Sequence, residues 1–262
     1  MGVVTAITLK EAQKLFPNFS LRNLIPTSDG VMDTTYLLDN YVLKHYERDI
    51  EKKIVEDSKL LHHLNNNGLN TPLHLASSQG WHLYSRLRGS RLTTTHYFHI
   101  QAVARFLAKF HTLTAKRHLQ TPFLDGYELT EILQQTKETH YFYYKKLQEL
   151  QNFHQQKDGF IHGDIFKDNT LFDGEKLGVF DFIDGGVGAF SFDIAVALMA
   201  FNPHQKSSLL QLFLNTYNQR APRKIKLQEL QKEIKNAAKL YALLRIQKYK
   251  NPKKAKELAN LW

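Results

Sequence analysis

Residues 160–184 constrain this chain more than any other stretch. They read Phe-Ile-His-Gly-Asp-Ile-Phe-Lys-Asp-Asn-Thr-Leu-Phe-Asp-Gly-Glu-Lys-Leu-Gly-Val-Phe-Asp-Phe-Ile-Asp. Within them His162-Gly163-Asp164 is followed by Asn169, and Asp181 comes 12 residues after Asn169. Phosphoryl transfer asks for these residue types. One carboxylate orients the attacking hydroxyl and takes its proton; an amide oxygen and a second carboxylate hold Mg²⁺ against the phosphates of a nucleotide. Asp164 is the candidate base, and Asn169 and Asp181 are the candidate metal ligands. Between them, Thr170–Phe172 and Leu177–Phe180 are short apolar runs split by Asp173-Gly174, the pattern of a β-hairpin. Such a hairpin is expected to set Asn169, at the mouth of its first strand, beside Asp181, at the end of its second.

Composition narrows the setting. A chain of 262 residues is large enough to bury roughly 70–75% of its unfolded surface, which suits two lobes sharing a cleft. Hydrophobic residues make up 42% and charged ones 23%, the balance of a globular protein and not of a disordered one. No apolar run approaches the roughly 20 residues that span a bilayer. The start, Met1-Gly-Val-Val-Thr-Ala6, has neither the regions of a signal peptide nor the Ser or Thr of a myristoylation site. With no cysteine there is no disulfide, thiolate metal site or cysteine nucleophile, so a metal must take oxygen or imidazole ligands. A cytoplasmic protein is expected, with no membrane partner and no state beyond monomer or homodimer. The net charge of +10 invites a nucleic-acid reading. Most of the excess is dispersed, however, and no fingerprint of a nucleic-acid-binding fold accompanies the Lys248–Lys256 run. No nucleic-acid partner is expected, and a basic surface equally suits an anionic substrate such as ATP.

Along the chain, residues 8–16 read as a short helix with Thr8 as N-cap and Glu11 three residues on, stopped by Pro17. Three strands follow, at 21–27, 31–38 and 41–46. The turn Ser28-Asp29-Gly30 is a candidate phosphate loop, in which Ser28, Thr34 and Thr35 hydroxyls and the backbone around Gly30 face an anion. Lys44 lies inside an apolar strand, where an unpaired ammonium is expensive, and is the candidate partner of the nucleotide phosphates. Residues 48–67 have helical periodicity, closed by Gly68. That helix must supply an acid for Lys44. Glu51 and Glu56 are both available, and Glu56, one turn before Leu60, is preferred. Strands at 73–76 and 81–87 lead to Arg86-Leu87, a candidate hinge whose backbone reads the adenine edge.

The second lobe is expected to be mostly helical: 97–112, one long helix from about 127 to 153, a helix opening at Ser191, then 209–217, 227–247 and 253–261. The cluster His140-Tyr-Phe-Tyr-Tyr144 reads first as packing and second as a cation–π cage. Gly185-Gly-Val-Gly188 reads as a flexible turn, and Asp193 as a helix-start residue that fixes the catalytic loop from behind. The resulting class is α+β, with a small antiparallel-sheet lobe at 1–88 for the nucleotide and a helical lobe at 89–262 for the catalytic loop and the acceptor.

These residues resemble a known group. The element order, the run from His162 to Asn169 and Asp181-Phe-Ile-Asp184 are similar to the aminoglycoside phosphotransferase and choline kinase superfamily, which has a protein-kinase-like bilobal fold. Within it, Asp164 to Phe172 and Gly30 to Tyr36 look most like the kinase-like homoserine kinases, and Leu107–His111 resembles a further helix of the group. Thr35 departs from the group's pattern by standing where it has an Asn, and the C-terminal part is shorter than usual. The resemblance implies ATP and Mg²⁺ as cofactors and the hydroxyl of L-homoserine as acceptor, in threonine biosynthesis. In it Asp164 is the base, Asn169 and Asp181 are the metal ligands and Lys44 is the phosphate clamp. Choline, aminoglycosides and methylthio sugars are the alternative acceptors. A silent nucleotide- or nucleic-acid-binding protein is the remaining rival, disfavoured because Asp164, Asn169 and Asp181 are all present.

Overall fold

Short strands rich in β-branched and aromatic residues build an antiparallel sheet in the computed structural model, which describes residues 4–28, 33–115, 121–247, 250 and 252–261. The strands are β1 (Ile25–Pro26), β2 (Thr34–Leu37), β3 (Tyr41–His45), β4 (His74–Ser78) and β5 (Trp81–Ser85), in the order β1-β2-β3-β5-β4. Helix α1 (Leu9–Leu15) precedes them, and α2 (Glu51–Asn66) links β3 to β4. The start of α1 carries both arms of the expected capping box: the Glu11 amide donates to Thr8 Oγ1, and the Thr8 amide donates to Glu11 Oε2. Pleating sends alternate side chains of β3 to opposite faces. Leu43 joins Tyr36, Trp81, Leu83, Ala12 and Phe16 in an apolar core, while Lys44 takes the other face.

The chain divides into two compact units, Met1–Ser90 with Gly178–Ile183, and Arg91–Leu177 with Asp184–Trp262. Residues 178–183, assigned from sequence to the second lobe, belong with the first unit. In that unit Val179 N–H donates to Asn70 O, and the side chains of Asn70 and Leu87 crowd Gly178.

The second unit is mostly helical. It contains α3 (Tyr97–Thr114), α4 (Leu129–Thr139), α5 (Tyr141–Leu147) and β6 (Gly159–Ile161). The hairpin strands β7 (Thr170–Asp173) and β8 (Lys176–Val179) pair as expected across Gly174, whose φ is +59°. β9 (Gly186–Gly188), α6 (Phe190–Phe201), α7 (Ser207–Asn218), α8 (Leu227–Gln247) and α9 (Pro252–Leu258) follow. Helix α6 is buried on nearly every side, as its continuous apolar sequence requires, and packs against α8.

Two further expectations needed correction. The single helix over 127–153 is broken at His140, whose φ and ψ are −143° and 58°. Neither Pro nor Gly causes the break. It lets Leu133 on one side and Leu147 and Leu150 on the other reach one apolar cluster with Ala242, Leu243 and Ile246 of α8. Residues 186–188, expected as a flexible turn, form a buried strand antiparallel to β6. Glycine is needed there for close approach: a Cβ at Gly186 would come within 2.7–2.8 Å of backbone atoms of Thr121 and Phe123.

His82 of β5 is buried opposite Lys44 and shares the Ser77 hydroxyl with His74. Burial, with the nearby His74 and His45, lowers its pKa from 6.5 to about 4. Between those values the unfolded chain binds the extra proton, so acidification favours unfolding. The melting temperature is expected to fall as pH drops from about 6.5 to about 4, and His82→Gln should flatten part of that slope in a pH series of thermal melts.

Candidate active site

The loop between β6 and β7 is held from behind by one carboxylate. Asp193 in the first turn of α6 is fully buried. Its Oδ2 accepts from the His162 amide at 3.1 Å and from His111 Nε2 at 3.0 Å, and its Oδ1 accepts from the Gly163 amide at 2.8 Å. His111 Nδ1 lies 2.8 Å from the Tyr217 hydroxyl, so the network runs on through α3 to α7. Burial alone would raise the Asp193 pKa, but the His111 hydrogen bond and the charges and amides around it hold it below the usual carboxylate value. Burial keeps His111 below its own usual value. A neutral imidazole that donates through Nε2 and accepts through Nδ1 satisfies both contacts. The sequence-based role of Asp193 matches this geometry.

Gly163 sits at φ +74°, in the left-handed region. Its carbonyl accepts from the Tyr241 hydroxyl of α8, and a Cβ there would overlap the ring of Phe123. The turn it makes presents Asp164. The Asp164 amide donates to His162 Nδ1 at 3.1 Å. Asn169, at the end of a 3₁₀ turn, donates its side-chain amide to Asp164 O at 2.9 Å and to Asp164 Oδ2 at 2.7 Å. The candidate base and one candidate metal ligand are therefore clasped together. Because the Asn169 nitrogen is spent on Asp164, its oxygen is the atom left for a hard cation.

Lys44 and Asp181 form the other pair, within the first unit: Nζ to Oδ1 is 2.7 Å, with side-chain exposures of 16% and 37%. Burial pulls the Lys44 ammonium down, but the Asp181 carboxylate and its hydrogen bond outweigh this and leave the pKa above its ordinary value. Asp181 has φ +70°, a strained conformation for a non-glycine residue. Its oxygens are of the type Mg²⁺ prefers. Among the described residues, no group of three or more His, Cys, Asp or Glu gathers as a metal cage. A Mg²⁺ ion shared with nucleotide phosphates needs only one or two protein carboxylates, and the Asp181 carboxylate is of that kind.

The expected partner of Lys44 is corrected. Glu56 is exposed and pairs with Lys59 at 2.9 Å, and Glu51 is exposed too. The inner face of α2 carries Ile54, Asp57, Leu60, Leu61 and Leu64, so the acid on that face is Asp57. The sequence held the signal: Asp57 interrupts the apolar stripe three residues after Ile54. Of the proposed phosphate loop, Gly30 lies outside the described residues and Ser28 is exposed. Thr34 is not available to an anion, since its buried hydroxyl donates to Glu47 at 2.7 Å and accepts from the amides of residues 4 and 5. Arg86 is committed to the sheet: its amide donates to Asn40 O at 3.0 Å and its guanidinium to Leu38 O at 2.7 Å. That removes the Arg86 N–H from the adenine-reading role. Leu87 is half-buried beside Gly178. Sequence reasoning also missed Asp33 as an acid near Lys44; it pairs with Arg48 at 3.4 Å.

The second unit has a cavity of about 770 Å³ lined by Pro122, Leu124, Asp125, Glu128, Glu131 and Lys157, among others. Phe123, between two of these residues, is the side chain against Gly163. On α5 the aromatic rings face the chain's own lysines. Lys145 lies over Tyr141, Lys146 over Phe142 and Lys137 over Tyr144, at 4.7–5.7 Å.

A profile of the phosphotransferase enzyme family (APH) matches residues 23–227. The chain belongs to this family. Curated relatives of this phosphotransferase include a homoserine kinase of Janthinobacterium sp. (strain Marseille), 25% identical over 228 residues, covering 76% of this chain and 71% of the relative. Another is a homoserine kinase of Polaromonas naphthalenivorans, 26% identical over 228 residues, with coverages of 76% and 72%. Among solved structures, an amicoumacin kinase in complex with AMP-PNP, Ca²⁺ and Ami superposes with TM-score 0.69 at 16% identity, covering 96% of this chain and 92% of that one. The ADP-bound aminoglycoside phosphotransferase APH(2'')-Ib gives TM-score 0.63 at 19% identity, with 95% of each chain covered. A microcompartment-associated aminopropanol kinase gives 0.62 at 17%, covering 97% and 94%. The fold is α+β and protein-kinase-like, with the antiparallel sheet in the first unit and most helices in the second.

Breaking a buried charged network costs about 3–5 kcal/mol. Asp193→Ala is expected to destabilise the phosphotransferase by that order in urea denaturation, because three buried donors lose their acceptor at once.

Proposed function

We propose that this phosphotransferase is an ATP-dependent kinase that phosphorylates the hydroxyl of a small amine-bearing molecule, with L-homoserine the first acceptor to test. One observation carries the reading: Asn169 clasps Asp164 at 2.7 Å on a loop fixed by Asp193. In this reading Asp164 orients the acceptor hydroxyl and takes its proton as the oxygen bonds to the γ-phosphorus, and ADP leaves. Lys44 neutralises charge on the nucleotide phosphates. Asn169 and Asp181 are the oxygen donors assigned to Mg²⁺, whose part when bound is to offset phosphate charge. A nucleotide cofactor is supported by relatives of the same fold bound to AMP-PNP or ADP. Homoserine is supported by the curated relatives.

The cavity favours a second reading of the acceptor. Its volume, about 770 Å³, lies among pockets that take drug-sized ligands, about 300–1,000 Å³. Asp125, Glu128 and Glu131 outnumber its cations, an arrangement suited to a larger amine such as an amino sugar. Choline is less favoured, since lysines already lie over three of the four α5 rings that would cage a quaternary ammonium.

A coupled assay of ADP release with homoserine, choline and kanamycin separates these readings. Turnover is expected with homoserine; turnover with kanamycin alone would transfer the assignment to the amino-sugar reading, and turnover with choline alone would overturn both. Asp164→Ala should lower kcat at least ~10²-fold while ADP still binds. A near-normal rate in that variant would remove Asp164 from the chemistry.

A further inference from the structure

Asp164 is bracketed by one side chain from outside its loop. The hydroxyl of Tyr241, on α8, donates to the carbonyl of Gly163, 78 residues earlier in the chain. The ring of the same residue meets Phe166 edge to face, with centroids 5.0 Å apart and planes at 75°. Tyr241 therefore touches the residue before Asp164 with its polar end and the residue two after it with its apolar ring. Gly163 and Tyr241 are both buried, so water does not compete for the contact.

The Gly163 carbonyl and the Asp164 amide belong to one planar peptide unit. Its N–H end donates to His162 Nδ1 at 3.1 Å. A plane held at one end can pivot about that contact, and Tyr241 holds the other end from α8. Asp193 anchors the loop to α6, but through the amides of His162 and Gly163, which lie before the ψ rotation of Gly163. Glycine has no Cβ to restrict that rotation, and it is the rotation that swings the plane carrying Asp164. On the far side, the Asp164 carbonyl accepts from the Phe166 amide at 2.8 Å and from the Asn169 side-chain amide at 2.9 Å. Those two donors belong to the loop itself and move with it. We propose that Tyr241 is a positioning residue for Asp164: its hydroxyl fixes the Gly163–Asp164 peptide plane and its ring fixes Phe166, so that the carboxylate faces one direction. The inference rests on Asp164 acting as the base.

The test compares Tyr241→Phe with the parent protein in steady-state kinetics, using whichever of homoserine, kanamycin and choline is turned over. The substitution keeps the ring against Phe166 and deletes the donor to Gly163. The expected result is a fall in kcat of about 10-fold, less than the ~10²-fold that a 1 Å misplacement costs. KM for ATP is expected to stay unchanged, because Lys44 and Asp181 lie in the other unit. A residue that merely supports folding would lower the melting temperature and leave the kcat of the folded enzyme where it was. Amide hydrogen exchange read by mass spectrometry adds a second measurement: exchange across residues 162–166 should quicken, while α3 and α6 exchange as in the parent. Asp164→Ala is the reference. If it keeps a near-normal rate, the base reading fails; if it loses activity while Tyr241→Phe keeps the parent kcat, the positioning inference alone is overturned. Where none of the three acceptors turns over, exchange decides: quickening confined to 162–166 supports the hold on the loop, and unchanged exchange overturns it. Should Tyr241→Phe not fold, Phe166→Leu removes the other side of the bracket and is read by the same two measurements.

Discussion

The loop that carries Asp164 is held in place by a carboxylate that is fully buried. Asp193 is enclosed, yet it accepts from two successive backbone amides and an imidazole. An ion in that position is tolerable only because every donor is supplied by the fold. The consequence is mechanical. Successive N–H groups pointing at one acceptor fix the chain direction at His162 and Gly163, and the left-handed turn at Gly163 then determines where Asp164 can be. Tyr241 on the Gly163 carbonyl and Phe123 on its Cα side close the remaining freedom. The loop is held by packed helices α3, α6 and α8, which suits a group that must present a carboxylate at fixed geometry.

The two units handle charge in different ways. In the second, Asp164 is neighboured by a neutral amide, which orients its carboxylate without neutralising it. In the first, Asp181 is matched with Lys44, an ion pair that is partly buried and partly wet. A pair of that kind contributes modestly to stability, and its value lies in keeping an ammonium at a strained, left-handed aspartate. Around it, His82 is held neutral by burial and the buried phenols of Tyr46 and Tyr84 are far from ionising, while Lys44 keeps its charge. The acidic lining of the cavity in the second unit stands out in a chain of net charge +10.

Where the sequence misled, the reason was packing. Glu56 and Asp57 differ by one residue, about 100° around a helix, and local periodicity left the choice to whichever side of α2 the sheet covered. Thr34 looked like a phosphate-loop hydroxyl, but it is folded under and tied to Glu47. Arg86 looked like a hinge, and its hydrogen-bonding capacity went to the neighbouring turn. The break at His140 has no local signature, since it serves a contact with α8 a hundred residues away.

The sequence by itself determined the motif from His162 to Asp181, the hairpin inside it, the five strands of the sheet and the start of α1. Each of these follows from spacing, turn chemistry or period. Tertiary structure alone decided which acid of α2 turns inward, which glycines become a strand at 186–188, and how Asp193 joins α3 and α7 to the loop. Those outcomes depend on which faces meet across long sequence separations, and no local pattern encodes that.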